Sequence, residues 1–168
     1  MLATQMLRIG GLPDKAYLRH LAEDGYLHLI NVSGSALRDI HGDQAVAAFT
    51  LHEYGFSDQF SLHPMLEGSF DDTPGFFLSQ FLPEHQGYFL KAVVSGVESL
   101  KAHKSVSVFC HHGVGRSPAV ALALMRCVWQ WSLPISIQAV QKIRPQAHLS
   151  QLSVSASSWA LNRLKQHV

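Results

Sequence analysis

The sequence predicts an α/β fold in a single domain (residues 1–168), with a central, mostly parallel sheet of four or five strands flanked by helices. Short apolar segments rich in β-branched residues alternate along the chain with longer segments whose apolar residues recur at helical spacing. This order is typical of helices packed on a parallel sheet. The 168 residues, 47% of them hydrophobic and 15% charged, suit one folded domain with a substantial core.

The first half of the chain predicts two helices and one clear strand. Residues 14–24 begin with an aspartate suited to capping a helix and have apolar residues at helical spacing. Residues 26–32 (YLHLINV) predict a buried strand, and residues 36–49 a weaker helix. Residues 60–66 (FSLHPML) predict an extended segment. Residues 67–75 (EGSFDDTPG) predict a loop because of their Gly, Asp and Pro content.

The second half predicts four helices and one strand. Residues 83–103 form a long helical candidate, and residues 105–109 (SVSVF) predict a strand. The next helix, residues 118–131, is apolar on nearly every side and is therefore expected to be buried. Two further helices, residues 135–143 and 149–166, are separated by an Arg-Pro pair.

Residues 109–120 (FCHHGVGRSPAV) join the predicted strand to the buried helix and predict an anion-binding loop. The two glycines allow backbone conformations that turn consecutive N–H groups toward one anion. The helix dipole favours negative charge at this end, and a guanidinium can hold two phosphate oxygens. The expected phosphate-binding residues are His111, His112, Gly113, Val114, Gly115 and Arg116.

Cys110 lies at the base of this loop and is the expected nucleophile. A thiol near a helix N-terminus and an arginine ionises more readily, and the thiolate is the reactive form. Attack on a bound phosphate would give a phosphocysteine that water then hydrolyses. Ser117 could donate a hydrogen bond to the sulfur as it departs.

Cys110, five residues, then Arg116 and Ser117 form a C-x5-R-[ST] motif, and in this the chain resembles the cysteine-based protein tyrosine phosphatases. In its short length the chain resembles members of the dual-specificity branch of that family. Residues 8–13 (RIGGLP), residues 29–33 (LINVS) and the Arg-Pro pair at 144–145 extend the resemblance, whereas residues 34–66 match least. The resemblance implies hydrolysis of phosphotyrosine, and also of phosphoserine and phosphothreonine, in proteins.

The resemblance also implies a general acid, an aspartate on a mobile loop upstream of the nucleophile. Asp72 is favoured because Asp72-Thr73-Pro74 is similar to a sequence found at that point in the family. Asp71 is its neighbouring alternative, and Glu67 is a third candidate. Gln151 could position the hydrolytic water as a glutamine does in some relatives, although surface or capping roles would also explain it. Arg144 could order the loop by ion pairing, although an arginine before a proline is also ordinary at a helix end.

One residue departs from the family pattern. The family usually has histidine immediately before the nucleophile, and this chain has Phe109. His111 and His112 either add positive charge to the loop or are simply exposed polar residues. Phe109 and the uncertain identity of the acid leave open a phosphate-binding pseudophosphatase without effective turnover. A phosphatase for non-protein phosphates, such as phosphoinositides or RNA 5′-phosphates, also stays open because the loop recognises phosphate and not its carrier.

Several other classes of function are disfavoured. Eleven histidines are many, but no spacing typical of a metal site occurs, so a metal site is disfavoured. The resemblance to the phosphatases implies no metal or organic cofactor. Cys127 is expected to be a core residue and not a resolving thiol. No apolar run is long enough to span a membrane, and a secretory signal is not expected because MLATQMLRIGG lacks the basic segment and apolar core of one. With only two cysteines, a reducing, cytoplasmic setting is favoured.

Charge is distributed unevenly along the chain. All 12 acidic residues lie at or before residue 98, whereas residues 99–168 contain eight Lys and Arg residues and no acidic residue. The C-terminal part of the chain therefore either presents positive potential to an anionic ligand or is an ordinary solvated surface. The expected partner is a phosphorylated protein or another phosphomonoester, and no nucleic acid partner is expected.

Overall fold

Four strands form one fully parallel sheet in the computed structural model, which describes residues 3–165. The strands are β1 (Leu7–Gly10), β2 (His28–Asn31), β3 (Thr50–Glu53) and β4 (Val106–Phe109). Their order across the sheet is β1-β4-β2-β3, so β4 lies inside the sheet between β1 and β2. The predicted α/β fold with a parallel sheet of four or five strands is therefore confirmed.

Nine α-helices and one 3-10 helix connect and cover these strands in the described residues. They are α1 (Ala3–Met6), α2 (Lys15–Glu23), α3 (Leu37–His41), α4 (Asp43–Val46), the 3-10 helix (Phe60–Leu62), α5 (Gly75–Gln80), α6 (Pro83–Lys101), α7 (Arg116–Val128), α8 (Leu133–Ile143) and α9 (Gln151–Lys165). Asp14 caps α2 as predicted, since its Oδ1 accepts a 2.7 Å hydrogen bond from the Tyr17 N–H.

The sheet separates two apolar cores. The larger core lies on the face covered by α6 and α7, and α9 packs on the outside of α7. Alternate residues of β4 explain the division, because successive side chains of a strand point to opposite faces. Val106 and Val108 belong to the larger core, and Phe109 belongs to the smaller one beneath α2, α3 and α4. The buried helix predicted at residues 118–131 is observed as α7.

The predicted boundaries differ from the observed ones in the region before α6. The helix expected at residues 36–49 is two short helices, because Gly42 has a φ of 87° and ends α3. Helix α1, strands β1 and β3, and helix α5 were not predicted. Four-residue strands at the sheet edges, each carrying polar side chains, give only a weak periodic signal.

The expectation of an extended segment at residues 60–66 was wrong for its first half. Phe60–Leu62 form a 3-10 turn, and Phe60 is fully buried in the larger core. The carboxylate of Asp58 accepts hydrogen bonds from Ser61 and so stabilises this turn. Only Met65 makes a strand-like contact, as an isolated bridge with Ser150.

The last predicted helix is observed as α9, and residue 166 lies outside the described part of the chain. Within residues 3–165, none of the helices combines the length and the apolar character that crossing a membrane requires.

Candidate active site

The loop between β4 and α7 lies at the carboxyl edge of the parallel sheet, near its middle. Strand β4 ends at Phe109 and α7 begins at Arg116, so residues 110–115 form the connection. In open parallel sheets, ligands bind in the crevice at this edge. We call residues 110–116 the phosphate loop.

The carbonyl groups of the phosphate loop are held on its outer side by hydrogen bonds to surrounding elements. The His111 carbonyl accepts from the Leu12 N–H at 3.2 Å, and the Val114 carbonyl accepts from the His148 N–H at 2.8 Å. Between them, Arg144 donates from Nη2 to the His112 carbonyl and from Nε to the Gly113 carbonyl, both at 3.1 Å. Arg144 thus orders the loop, through carbonyl groups and not through an ion pair.

The N–H groups of the loop point the opposite way. In a planar trans peptide, the carbonyl of one residue and the N–H of the next lie on opposite sides. The outward carbonyls of residues 111–114 therefore place the N–H groups of residues 112–115 on the inner side of the loop. Among residues 3–165, none of these N–H groups donates to a protein acceptor. A ring of free donors facing one centre is an anion-binding arrangement.

Gly113 is required by its conformation and its surroundings. Its φ of 69° lies in the left-handed region, which side chains with a Cβ rarely adopt. A Cβ at this position would also lie 2.5 Å from Gly10 C and 2.5 Å from Gly11 N. The loop therefore passes close to the end of β1, and this approach leaves no space for a larger residue.

Cys110 and Ser117 meet at the base of the loop. Cys110 is only 2% exposed, and its Sγ lies 3.3 Å from Ser117 Oγ. The Ser117 hydroxyl also lies 3.1 Å from the Gly10 carbonyl, to which it donates. The hydroxyl can therefore turn its proton between the carbonyl oxygen and the sulfur, according to the charge on the sulfur.

Arg116 is anchored by one nitrogen and free at another. Its Nη1 donates to the carbonyls of Ser33 and Phe56 at 3.1 Å and of Val32 at 3.4 Å. Its Nε is buried and has no hydrogen-bond partner in the described structure. A buried donor without an acceptor is costly, by about 1–3 kcal/mol. An anion inside the loop would satisfy it.

Asp58, which no sequence motif indicates, lies against the phosphate loop. A Cβ placed at Gly115 would be 2.7 Å from Asp58 Oδ1. Ser61 holds the carboxylate by donating from its hydroxyl to Oδ2 at 2.9 Å. Asp58 follows β3, and Cys110 follows β4. Because the carboxyl ends of parallel strands meet at one edge of a sheet, a prediction of β3 would have indicated that the residues after it lie near Cys110.

Among residues 3–165, no hydrogen bond joins Asp71 or Asp72, the predicted acids, to the phosphate loop. The Asp71 backbone is held by the Gln151 side chain, and Asp71 Oδ1 accepts from the Thr73 N–H at 3.0 Å. Asp72 lies near Arg126: burial lowers the pKa of this guanidinium, and the negative charge of Asp72 opposes that effect. Arg126 is ten residues beyond Arg116 in α7, or about 15 Å along the helix axis.

Gln151 and Glu67 likewise lie in the region of Asp71. Gln151 accepts from the Asp71 N–H at 3.0 Å and donates to the Asp71 carbonyl, so both ends of its amide are engaged. Glu67 lines the same concave surface as Asp71 and Gln151. These contacts fix the loop of residues 67–75 to α9.

Phe109 and the two loop histidines have different environments. Phe109 is 1% exposed and packs in the smaller core on the far face of the sheet, so it sends no polar group toward Cys110. His111 and His112 are exposed, and His111 Nε2 lies 3.4 Å from Ser35 Oγ. In the part of the chain that the structure describes, no group of His, Cys, Asp and Glu side chains is arranged to hold a metal ion.

Cys127 is separate from this site. Neither cysteine is in a disulfide, and Cys127 lies near the C-terminal end of α7, where it packs against the larger core. Burial raises the pKa of the Cys127 thiol to about 11. Of the two cysteines, only Cys110 lies in a loop that can receive an anion.

The fold is that of the dual-specificity and protein tyrosine phosphatases, as solved structures show. Human DUSP28 matches with a TM-score of 0.65 and 18% identity, covering 96% of this chain and 95% of that one. PTPMT1 in complex with PI(5)P matches with a TM-score of 0.64 and 15% identity over 97% and 94% of the two chains. Tk-PTP in its active form matches with a TM-score of 0.60 and 16% identity, covering 94% of this chain and 92% of that one.

The likeness is one of structure, at low sequence identity. No protein-family model matches the sequence, and no curated protein does. The fold expected from the C-x5-R-[ST] motif and its flanking sequences is confirmed by the solved structures.

Proposed function

We propose that the chain is a phosphatase that hydrolyses phosphate monoesters through a phosphocysteine intermediate. The observation that carries this proposal is the phosphate loop itself. Its carbonyls are bonded on the outside, its N–H groups face inward, and Cys110 lies at its base. The buried Arg116 Nε adds one further donor without a partner in residues 3–165. The arrangement suits a tetrahedral dianion held above a sulfur atom.

In the first step, the Cys110 thiolate attacks the phosphorus atom of the bound ester. The new S–P bond forms as the bond between phosphorus and the ester oxygen breaks. Arg116 and the inward N–H groups of the loop stabilise the negative charge on the three remaining phosphoryl oxygens. The carbonyls that hold Arg116 Nη1 keep the guanidinium in place.

The departing oxygen requires a proton, and we propose Asp58 as its source in place of Asp72. Asp58 lies beside Gly115 of the loop, whereas Asp72 lies near Arg126 at the opposite end of α7. Ser61 orients the Asp58 carboxyl group through its hydroxyl. A positioned acid of this kind contributes about 10²- to 10⁴-fold to the rate.

The second step releases phosphate. Asp58, now a carboxylate, accepts a proton from the water that attacks phosphorus, and the S–P bond breaks. The sulfur leaves as a thiolate, and Ser117 can turn its hydroxyl from the Gly10 carbonyl to donate to it. Charged acceptors make stronger hydrogen bonds than neutral ones, so this donation favours departure.

Phosphotyrosine, phosphoserine and phosphothreonine in proteins are the proposed substrates, in a reducing, cytoplasmic setting. A phosphatase for non-protein phosphates is the second candidate. One structural neighbour is PTPMT1 in complex with PI(5)P. Leu62 directly follows Ser61 and is 73% exposed. An exposed apolar side chain next to the turn that holds Asp58 is suited to contact an apolar carrier of the phosphate.

The proposal is tested with p-nitrophenyl phosphate, whose hydrolysis needs no recognition of a particular carrier. We expect turnover by the wild-type protein and none above background for Cys110→Ser. Cys127→Ser is the matched control and should retain wild-type turnover. A phosphoryl adduct on Cys110, trapped by rapid acid quench and located by mass spectrometry, would identify the intermediate.

The same experiment separates a phosphatase from a pseudophosphatase. If the wild-type protein binds vanadate but releases no product, the phosphate loop binds anions without turnover and the proposed function is wrong. A panel of phosphopeptides and phosphoinositides, with vanadate inhibition as the control, then distinguishes the two substrate classes.

A further inference from the structure

Two histidines outside the phosphate loop hold the chain segment that carries Asp58. We call residues 57–63 the acid segment; it runs from Ser57 through the 3-10 helix to His63. We infer that His85 and His148 are positioning residues that anchor the two ends of the acid segment and so fix Asp58 against the phosphate loop. This inference rests on the proposed function, because it concerns the delivery of the proton by Asp58.

His85 anchors the start of the segment as a hydrogen-bond acceptor. It lies in the first turn of α6, and its Nδ1 accepts from the Ser57 N–H at 2.9 Å. Ser57 immediately precedes Asp58 in the chain. Because the acceptor nitrogen must be unprotonated, the bond requires the neutral imidazole with its proton on Nε2. No strand or helix supplies a carbonyl acceptor for the Ser57 N–H in the described residues.

His148 anchors the end of the segment as a donor. Its Nε2 lies 2.6 Å from the His63 carbonyl, which can only accept, so Nε2 carries the proton. The backbone N–H of the same residue donates to the Val114 carbonyl at 2.8 Å. His148 therefore contacts the acid segment through its side chain and the phosphate loop through its backbone, so replacing the side chain removes only the contact with the acid segment.

The other contacts of the acid segment bury its apolar side chains, but they leave the position of the Asp58 carboxyl group dependent on the two histidines. Phe56 and Phe60, on either side of Asp58, are buried in the larger core. Apolar packing sets how deeply the backbone lies, but it is not directional. Hydrogen bonds are directional, and proton transfer is sensitive to position: a displacement of about 1 Å can cost about 10²-fold in rate.

The test compares substrates that differ in their need for an acid. Phenyl phosphate has a poor leaving group and needs protonation, whereas p-nitrophenyl phosphate has a good one. For His85→Leu we expect kcat for phenyl phosphate to fall about 10- to 100-fold. KM, vanadate affinity and kcat for p-nitrophenyl phosphate should stay within about twofold of wild type, because the phosphate loop itself is unchanged.

Conservative variants distinguish a hydrogen bond from packing. His85→Asn places an oxygen acceptor near the position of Nδ1 and should restore most of the lost kcat. His148→Leu should show the same dependence on leaving group, and His148→Gln, which keeps a donor near Nε2, should restore activity. His20→Leu, at an exposed position on α2, is the matched control. If one leucine variant fails to fold, the pair at the other histidine decides the outcome.

A double variant links both histidines to Asp58. If they act through Asp58, His85→Leu should add little to the loss already caused by Asp58→Asn. The inference is wrong if the leucine variants slow both substrates equally, if the conservative variants do not restore kcat, or if the two losses multiply. Absence of wild-type turnover on either substrate would overturn the proposed function as well. Normal His85→Leu kinetics with an inactive Cys110→Ser would overturn only this inference.

Discussion

The Asp58 carboxylate lies beside the phosphate loop because a short local turn fixes its direction. Its two oxygens accept from the N–H and the hydroxyl of Ser61, at 3.4 Å and 2.9 Å. Phe60, between the two residues, is buried and prevents the turn from moving away. An aspartate with two local hydrogen bonds and one buried neighbour loses little further freedom when substrate binds, as a pre-positioned acid requires.

Asp58→Asn should therefore lower kcat for phenyl phosphate by about 10²- to 10⁴-fold, because asparagine cannot supply the proton. The loss for p-nitrophenyl phosphate should be much smaller. Asp72→Asn is the control, and steady-state kinetics on both substrates should place it within about twofold of wild type. If Asp72→Asn shows the dependence on leaving group and Asp58→Asn does not, Asp72 is the general acid.

At the scale of elements, α6 shows how one helix can contain both a surface glycine and a packing glycine. A Cβ at Gly87 would meet nothing within 4 Å. A Cβ at Gly96 would lie 2.5 Å from Leu124 Cδ2 and 3.0 Å from Ile30 Cδ1. The second glycine lets α6 pack closely on α7 and β2, both of which carry residues of the larger core.

Replacing each glycine by alanine should have opposite effects on stability. Gly87→Ala should raise the free energy of unfolding by about 0.5–1 kcal/mol, since alanine loses less conformational entropy in a helix. Gly96→Ala should lower it by about 1–3 kcal/mol through overpacking against Leu124. Urea unfolding followed by circular dichroism measures both changes. Equal effects of the two substitutions would mean that the Leu124 side chain moves to accommodate the added methyl group without a cost in stability.

At the scale of the whole molecule, the two histidines where β2 and β3 meet α6 make stability depend on pH. His28 and His52 stack with ring centroids 6.1 Å apart, and His28 Nδ1 lies 3.1 Å from Ser99 Oγ. Burial and the positive charge of Lys104 lower the pKa of His28 below its ordinary value of 6.5. Burial and the charge of His28 lower that of His52, whereas Glu98 acts in the opposite direction.

As pH falls below 6.5, His28 and His52 bind protons in the unfolded chain, whereas in the folded chain both stay neutral to lower pH. The free energy of unfolding should therefore decrease through this range and be fully retained above it. His52→Leu removes one of the two groups and should flatten the dependence between pH 7 and pH 5. His20→Leu, at an exposed position, is the control, and chemical denaturation at several pH values gives both slopes. An unchanged slope in His52→Leu would exclude His52 as a source of the acid sensitivity.

Local sequence was sufficient for the elements with strong periodicity. Helix α7 was predicted from its apolar residues, and the capped start of α2 was predicted from Asp14. The edge strands β1 and β3 were missed because four residues with polar members give almost no periodic signal. Missing β3 had a functional consequence, since its carboxyl end leads to the acid segment.

The sequence by itself determined the phosphate loop, because a strand end, a helix start, two glycines, a cysteine and an arginine are adjacent in the chain. Only the tertiary structure decided which aspartate lies beside the loop. Asp58 and Asp72 are both polar loop residues upstream of Cys110, and the local similarity that favours Asp72 carries no information about its distance from the loop. The parallel strand order brings the end of β3, and with it Asp58, to the edge of the sheet where the phosphate loop lies. Ser61 then holds the Asp58 carboxylate in a turn that depends on the burial of Phe60. Gln151, 80 residues from Asp71 in sequence, holds the loop that carries Asp72 against α9.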